Sequence, residues 1–263
     1  MDSNQIVEYQ LITDRRTIYI DSKYRKNGIP EDFTLDLHPW VTNARQLRVS
    51  KVSIPHTYYH IRTGVNDQFD FTSSADGPIS ITIPEGSYTT LTMKTTLQNL
   101  IGPLISGNVV VTFNSNTLKT EINFTAITGT ISAGELISGN AAYDLGFREA
   151  ILVASDPMIS DSVFNLGGPN RIYVESRVLS DTNSLKTSGG AYALERTNTI
   201  FAVDVNENSG AVITNIAPGS WIDYPNIKIT TIDLRLTCQN GTTIDLNGED
   251  WDMEIEILGR FSN

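Results

Sequence analysis

The stretch IDLRLTC, at residues 232–238, alternates apolar and polar side chains without a break. The stretch WDMEIEI, at residues 251–257, repeats this alternation, and an Asn-Gly pair at 240–241 is typical of a two-residue hairpin turn. A period of two residues predicts a β-strand with one buried face. We therefore expect a meander of three antiparallel strands at the end of the chain, in which Ile244 and Leu246 lie on the middle strand.

The composition of the whole chain favours strands over helices. The sequence contains 29 Thr and 29 Ile against 13 Ala and 7 Lys, and β-branched residues prefer strands. Between residues 47 and 54 the apolar phase slips by one residue, which predicts a β-bulge near Ser50-Lys51. Alternation predicts further strands at residues 18–20, 33–37, 69–71, 79–83, 109–113, 122–124, 172–174 and 200–205.

One segment has the period of a helix instead. Its apolar residues are spaced i, i+4, i+7 and i+8, and they are Met93, Leu97, Leu100 and Ile101. We predict a helix that follows Ser87 and ends at the Gly-Pro pair 102–103. Because its Thr-rich turns have poor helix propensity, we expect it to be stabilised by packing its apolar face on a sheet.

These patterns predict an all-β protein, an antiparallel jelly-roll sandwich with one short helix and an insertion. Residues 1–16 show no clean period and are predicted to form an N-terminal arm. Residues 17–263 are predicted to form the jelly-roll domain, in which residues from about 100 to 147 are the candidate insertion or upper lobe.

The charge is distributed unevenly along the chain. Residues 1–62 carry 9 basic and 7 acidic residues, whereas residues 63–263 carry 10 and 23, for a net charge of −11. Because duplex nucleic acid binds to a contiguous basic face, we expect nucleic acid contact to be minor at most. No apolar run approaches the length of a membrane-spanning helix, and the N-terminus lacks a secretory pattern. We expect synthesis in the cytoplasm without membrane insertion.

The sequence offers few groups for catalysis or metal binding. It contains no nucleophile elbow, phosphate-binding loop or zinc-ligand pattern. The single cysteine, Cys238, falls on the buried face of its strand, where we interpret it as a core residue. His56 and His60 follow Pro55 in a connector, and we interpret them as loop residues. We therefore predict no catalytic residues, no metal and no other cofactor.

The last predicted strand carries an acidic row on its polar face. The row consists of Asp252, Glu254 and Glu256, which alternate with apolar residues. We interpret it as a solvated face that guards the strand against unwanted edge pairing. A catalytic or cation-binding role is the alternative.

Two sets of surface residues are candidates for contacts with partners. A basic cluster near the N-terminus consists of Arg15, Arg16, Lys23, Arg25 and Lys26. We interpret it as solvated charges around a turn, with contact to an acidic neighbour or to packaged nucleic acid as alternatives. The Ser-Gly-rich segment 180–190 is the candidate exposed loop, through Ser180, Asp181, Ser188, Gly189 and Gly190.

Several short motifs lie in a fixed order along the chain. They are TIYIDSKYR at 17–25, FTLDL at 33–37, SIPHTY at 53–58, ISITIPEGSYT at 79–89, LGF at 145–147 and DLNGEDW at 245–251. In this order they resemble the single-jelly-roll penton, or minor capsid, proteins of virophages and related double-stranded DNA viruses. The chain departs from that pattern at His56, where the family more often has Asn.

The resemblance implies a homopentamer that occupies the five-fold vertices of an icosahedral virion, beside a double-jelly-roll major capsid protein. It also implies that the N-terminal arm lies on the inner side and binds adjacent capsomers. A five-fold ring closes through heterologous contacts, so each subunit needs two different, complementary flanks. Such a function is mechanical and needs no catalytic group.

Two other classes of function stay open at this point. A ligand-binding jelly roll would recognise a sugar or a receptor through Tyr58, Tyr59, Trp221 or the loop 180–190, because aromatic rings stack on sugars. A β-sandwich hydrolase would need a nucleophile and a base, and the sequence provides no recognisable pair.

Overall fold

A computed structural model describes residues 14–73, 76–125, 131–133, 141–148, 152–153, 157–180, 185–187, 194–216, 218–239 and 241–262. The described residues divide into two compact units. Unit 1 contains the residues up to Tyr58 and from Pro169 onward, and unit 2 contains the residues from Tyr59 to Gly168.

The secondary structure consists mainly of strands. They are β1 (Asp14–Asp21), β2 (Asn27–Ile29), β3 (Asp32–Pro55), β4 (Gln68–Ser73), β5 (Gly77–Thr82), β6 (Asn108–Asn114), β7 (Lys119–Thr125), β8 (Ile131–Ala133), β9 (Leu152–Val153), β10 (Met158–Ile159), β11 (Arg171–Glu175), β12 (Leu185–Thr187), β13 (Leu194–Arg196), β14 (Thr199–Asp204), β15 (Val212–Asn215), β16 (Ile222–Thr237) and β17 (Asp252–Gly259). The helices are α1 (Thr90–Ile101) and α2 (Ala141–Asp144), and short 3₁₀ helices lie at Ser22–Tyr24 and Gly102–Leu104.

Unit 1 is built on one sheet with the strand order β1-β17-β3-β16-β11-β14. Every pairing along this path is antiparallel, and β2 and β15 pair with β3 beside it. A separate hairpin pairs β12 with β13. The apolar positions of the strands form one core, whose members include Leu47, Val52, Ile54, Ile232, Leu234, Leu236, Trp251, Met253 and Ile255.

The predicted bulge in β3 is confirmed. Glu254 pairs with Lys51 and Ile255 pairs with Val49, so Ser50 is the extra residue that has no partner of its own in β17. A bulge moves the following residues to the opposite face of the strand. As a result, both Val49 and Val52 are buried in the core, although they are three positions apart in the sequence.

The segments predicted as strands at 33–37 and 47–54 are joined in the structure as the single strand β3. The alternation of apolar residues is broken between them, because the pairing of β16 with β3 changes register three times between Leu47 and Asp36. Each shift turns the side chains relative to the core. A continuous strand with shifts of this kind does not carry a continuous period of two.

The predicted three-strand meander at the C-terminus is wrong. Strand β17 pairs with β1 and β3, and the segment around Ile244 and Leu246 forms no strand. Both residues are nevertheless buried. The Ile244 amide donates to Leu236 O at 3.1 Å, and the Leu246 amide donates to the Glu31 carboxylate at 2.5 Å. The alternation therefore reflects the burial of a loop and not of a strand. One backbone amide of this loop is hydrogen-bonded to the side chain of Glu31.

Unit 2 contains two smaller antiparallel sheets, with the strand orders β5-β4-β8-β9 and β10-β7-β6. The predicted helix is confirmed as α1, and it buries Met93, Leu97 and Ile101. Its first turn is closed by Thr89 and Thr92, whose side chains each bind the backbone amide of the other. The core of the unit also includes Phe69, Phe71, Ile81, Ile83, Val111, Ile122, Phe124, Leu145 and Phe147.

The predicted antiparallel all-β fold class is confirmed, and α1 is the predicted helix. The boundaries of the units differ from the predicted domains. Residues 14–16 of the predicted arm belong to β1, and residues 1–13 lie outside the described residues. The compact unit from Tyr59 to Gly168 is longer than the insertion predicted at about 100–147, which stays a prediction. Among the described helices, none is long and apolar enough to cross a bilayer.

We predict that Leu97→Ala destabilises unit 2 by about 2–5 kcal/mol, because it leaves a cavity between α1 and the sheet. Leu91→Ala is the matched control on the same helix, since Leu91 is 70% exposed. It should change the stability by less than about 0.5 kcal/mol. Hydrogen exchange of the amides in α1 and β6 measures the effect, and equal protection in the two variants would contradict the packing described here.

Candidate interaction surface

Four of the five residues in the predicted basic cluster form ion pairs within unit 1. The pairs are Arg15 with Glu256, Arg16 with Asp14, Arg25 with Asp250 and Lys26 with Asp36. Lys23 has no ionic partner in the part of the chain that the structure describes. The five residues are spread along β1, the adjoining 3₁₀ helix and the turn into β2. Their charges are largely neutralised locally, so they do not form one basic face.

Glu256 is the centre of the largest group of charges in this region. Its carboxylate accepts hydrogen bonds from Arg15 Nε at 2.7 Å and from Arg48 Nη2 at 3.1 Å. The Arg48 guanidinium also lies 4.6 Å from the centre of the Trp221 ring. Burial opposes ionisation of Glu256, but the hydrogen bonds and charges of the two arginines outweigh it and lower the pKa of the carboxyl.

The alternation of the acidic row on β17 is confirmed, but its interpretation as an edge guard is wrong. Strand β17 lies between β1 and β3 and has no free edge. Glu254 faces Lys51 with 3.8 Å between the charged atoms, and Glu256 binds two arginines. The row therefore contributes to cross-strand ion pairs on the outer face of the sheet.

The motifs at 17–25 and 245–251 are bound directly to each other. Asp250 accepts hydrogen bonds from Ser22 Oγ at 2.7 Å and from Arg25 Nη1 at 2.9 Å. The Ser22 amide donates to Trp251 O, and the Trp251 amide donates to Ser22 Oγ. The indole of Trp251 is buried, donates to Pro30 O at 2.6 Å and packs edge-on against Phe33.

The motif at 53–58 joins the same cluster. Thr57 Oγ1 donates to Leu246 O at 2.7 Å, and the Asn247 side chain donates to Thr57 O. Asn247 has a φ of 56°, which suits its position in a tight turn. We call the cluster of Ser22, Arg25, Thr57, Asn247, Asp250 and Trp251 the motif junction. It brings together three motifs that are far apart in the sequence.

Two further motifs, at 79–89 and 145–147, line the core of unit 2. Ile79, Ile81 and Ile83 of the first motif are buried, as are Leu145 and Phe147 of the second. Gly146 has a φ of 89°, and a Cβ at this position would lie 2.4 Å from Ser162 O. A glycine is therefore required between the two buried apolar residues.

The candidate exposed loop 180–190 is described at Ser180 and at residues 185–187, which form the strand β12 instead of a loop. The Ser180 amide donates to Ser176 O at 3.0 Å, whereas Asp181, Ser188, Gly189 and Gly190 lie outside the described residues. The turn before the loop is held by Asp233. Its carboxylate accepts from Ser176 Oγ, from the Val178 amide and from the Arg177 amide and guanidinium. Burial opposes ionisation of Asp233, but these donors outweigh it and lower its pKa.

Asp233 and Glu31 are anchoring residues that the sequence analysis missed. Asp233 has the same position in the alternation as any solvated residue on the polar face of a strand. Glu31 is buried, and its carboxylate binds the Leu246 amide. No local pattern signals either role, because their partners lie far away in the sequence.

Most of the aromatic residues proposed for sugar binding are buried or already contact another side chain. Tyr58 is buried beneath His56, with the ring centres 4.4 Å apart, and burial raises the pKa of its hydroxyl. The Arg48 guanidinium lies over the ring of Trp221. Tyr59 is partly exposed. The ring of Tyr58 is therefore closed to a sugar, and the ring of Trp221 is already in contact with a guanidinium group.

His56, His60 and Cys238 each lie close to an oxygen atom of another residue. His56 Nδ1 is 2.8 Å from Glu207 O, and His60 is buried with its Nε2 atom 3.6 Å from Asp144. The Cys238 thiol donates to Thr242 O at 3.2 Å. Within the described residues, no group of three or more His, Cys, Asp or Glu side chains is placed to hold a metal ion.

No protein-family model and no curated protein matches the sequence. Among solved structures, the chain is similar to the mavirus penton protein, with 13% identity, 95% of this chain and 99% of that chain covered, and a TM-score of 0.41. It is also similar to a chain in the cryo-EM structure of the Sputnik virophage, with 15% identity, 94% and 98% covered, and a TM-score of 0.45. The chain is thus similar to a penton protein and to a chain of a virophage particle, as its sequence motifs predict.

We predict that Glu256→Gln lowers the free energy of unfolding by about 1–3 kcal/mol at pH 7, because it leaves two arginines without their shared carboxylate. A carboxyl with a lowered pKa contributes stability above its unfolded pKa of about 4, and this contribution is lost as the pH falls through the folded pKa. The difference between the wild-type protein and the variant should therefore shrink in acid. Urea unfolding at pH 7 and pH 3 measures it, with the exposed Asp252→Asn on the same strand as the control.

We further predict that Trp251→Phe destabilises unit 1 by about 1–3 kcal/mol, because Pro30 O loses its donor while it remains buried beneath the ring. Trp221→Phe serves as the control, since its ring contacts arginines at a partly exposed site, and it should cost less than about 1 kcal/mol. Thermal unfolding followed by circular dichroism compares the two variants. An equal loss in both would show that the indole bond at the motif junction is unimportant.

Proposed function

We propose that this chain is a structural capsid protein that forms homopentamers at the five-fold vertices of an icosahedral virion. In this proposal it is made in the host cytoplasm and contacts a double-jelly-roll major capsid protein. The proposed function is mechanical closure of the shell, and no catalytic step or cofactor is part of it.

The motif junction carries this proposal. The motifs that resemble penton proteins occupy short stretches between residues 17 and 251, and three of them bind one another through backbone and side-chain hydrogen bonds. The motifs at 79–89 and 145–147 pack in one apolar core. The residues that carry the resemblance are thus framework residues that set the fold. This is expected for a protein whose function depends on a rigid body.

The charges of unit 1 fit the same role. Arginines and carboxylates are paired across the strands of the sheet, and Glu256 holds two guanidinium groups at once. Cross-strand pairs fix the register of neighbouring strands. Of the predicted contact residues, Lys23 is exposed and lacks an ionic partner in the described chain, so it is available for an acidic neighbour. The other four are also partly exposed and would form the border of that contact.

The test of this function is the mass of the purified protein in solution. Sedimentation velocity at several protein concentrations should show a species with five times the 29.0 kDa of the chain. Electron microscopy of the same sample should show five-fold rings. A protein that stays monomeric at every concentration, or that forms only dimers, would rule out the vertex role.

A further inference from the structure

Three segments of unit 1 contain no acidic residue and lie side by side. They are residues 38–45 in β3, residues 224–230 in β16 and residues 259–262 at the end of β17. The lysine and arginine residues in these segments are Arg45, Lys228 and Arg260. The whole chain has 30 acidic residues and a net charge of −11. These three segments therefore differ in charge from the rest of the chain.

The pairing of the strands places two of these cations on either side of the same part of β3. Lys228 directly precedes Ile229, which pairs with Val41 in β3. On the other side of β3, the Thr42 amide donates to Arg260 O at 2.7 Å. Segments that are far apart in the sequence thus contribute cations to one place.

The side chain of Lys228 lies on the outer face of the sheet. Ile229 and Val41 are buried in the core, and neighbouring residues of a strand point to opposite faces. Lys228 and Trp40, which precede them, therefore point away from the core. Their contact agrees with this placement, because Lys228 Nζ lies 4.6 Å from the centre of the Trp40 ring. Trp40 is 39% exposed, and its ring holds the ammonium group above the sheet.

The two arginines lie on the same face. Phe261 pairs with Val41 and packs against the core, so the side chain of Arg260 beside it points outward and is exposed. Arg45 follows the buried Ala44 and is half-buried. The exposed group that results is called the basic surface, and it consists of Trp40, Arg45, Lys228 and Arg260.

Three acidic residues border the basic surface, and each already contacts another side chain. The contacts are Asp14 with Arg16, Asp36 with Lys26 and Asp223 with Gln46. The three cations of the basic surface take part in none of the ion pairs formed by the described residues. Their charge is thus directed toward a partner outside the subunit.

We propose that the basic surface binds the phosphate backbone of nucleic acid in a contact that does not depend on the base sequence. Arginine and lysine side chains bind phosphate oxygens through charge and hydrogen bonds, and such contacts do not read the bases. The identity of the ligand rests on the proposed function, because packaged nucleic acid is the polyanion that a shell protein meets inside a virion.

The negative net charge of the chain does not prevent this contact. At physiological salt, exposed charges that are more than about 8 Å apart are largely screened, so the cations closest to the phosphates determine the interaction. Three cations on one subunit give weak binding. In a ring, every copy presents the same surface on the same side. A nucleic acid that touches several copies is therefore bound more tightly than by one copy.

Fluorescence anisotropy of a short, labelled DNA duplex measures binding to the purified protein. Lys228→Gln and Arg260→Gln should each weaken binding by about threefold or more, and each should lower the slope of log affinity against log salt concentration by roughly one. Arg148→Gln is the matched control, since it removes one exposed cation from unit 2 and should change neither quantity. Circular dichroism verifies the fold of each variant, and sedimentation velocity gives its assembly state.

The outcomes separate this surface from the proposed function. A wild-type pentamer that does not bind the duplex at low salt, or variants that bind as the wild type does, would overturn the basic surface and leave the vertex role standing. Displacement of the duplex by polyglutamate at an equal concentration of charge would identify an acidic protein as the occupant and overturn the assignment to nucleic acid. A protein that stays monomeric would overturn the vertex role, and the same variants then decide whether its surface binds phosphate.

Discussion

Strand β3 determines the arrangement of unit 1, because it pairs with β2, β15, β16 and β17. Its apolar side chains must face the core while β3 pairs with both β16 and β17. The apolar residues of these two strands alternate with different phases relative to β3. The bulge at Ser50 and the register shifts in β16 reconcile these patterns. A slip of one residue would turn a whole row of apolar side chains toward solvent. The pairing of β3 therefore fixes the positions of segments from both ends of the chain.

Much of the fold could be predicted because side-chain periodicity records burial directly. The helix α1, the strands around residues 79–83 and 251–257 and the bulge near Ser50 follow from the spacing of apolar residues alone. The meander failed for the same reason. Ile244 and Leu246 are buried, but their loop is bonded to the Glu31 carboxylate, and periodicity does not tell a strand from a buried loop. The identity of a hydrogen-bond partner is not contained in a local pattern.

The interaction surface was less predictable than the fold. The basic residues near the N-terminus form a cluster in the sequence, yet Arg15 is paired with Glu256 and Arg25 with Asp250, more than 200 positions away. These partners lie close together because β17 pairs with β1. The same pairing shows that the acidic row on β17 does not lie at an edge of the sheet. Which charged residues lie next to each other on the surface therefore depends on the strand order, which the sequence pattern does not give.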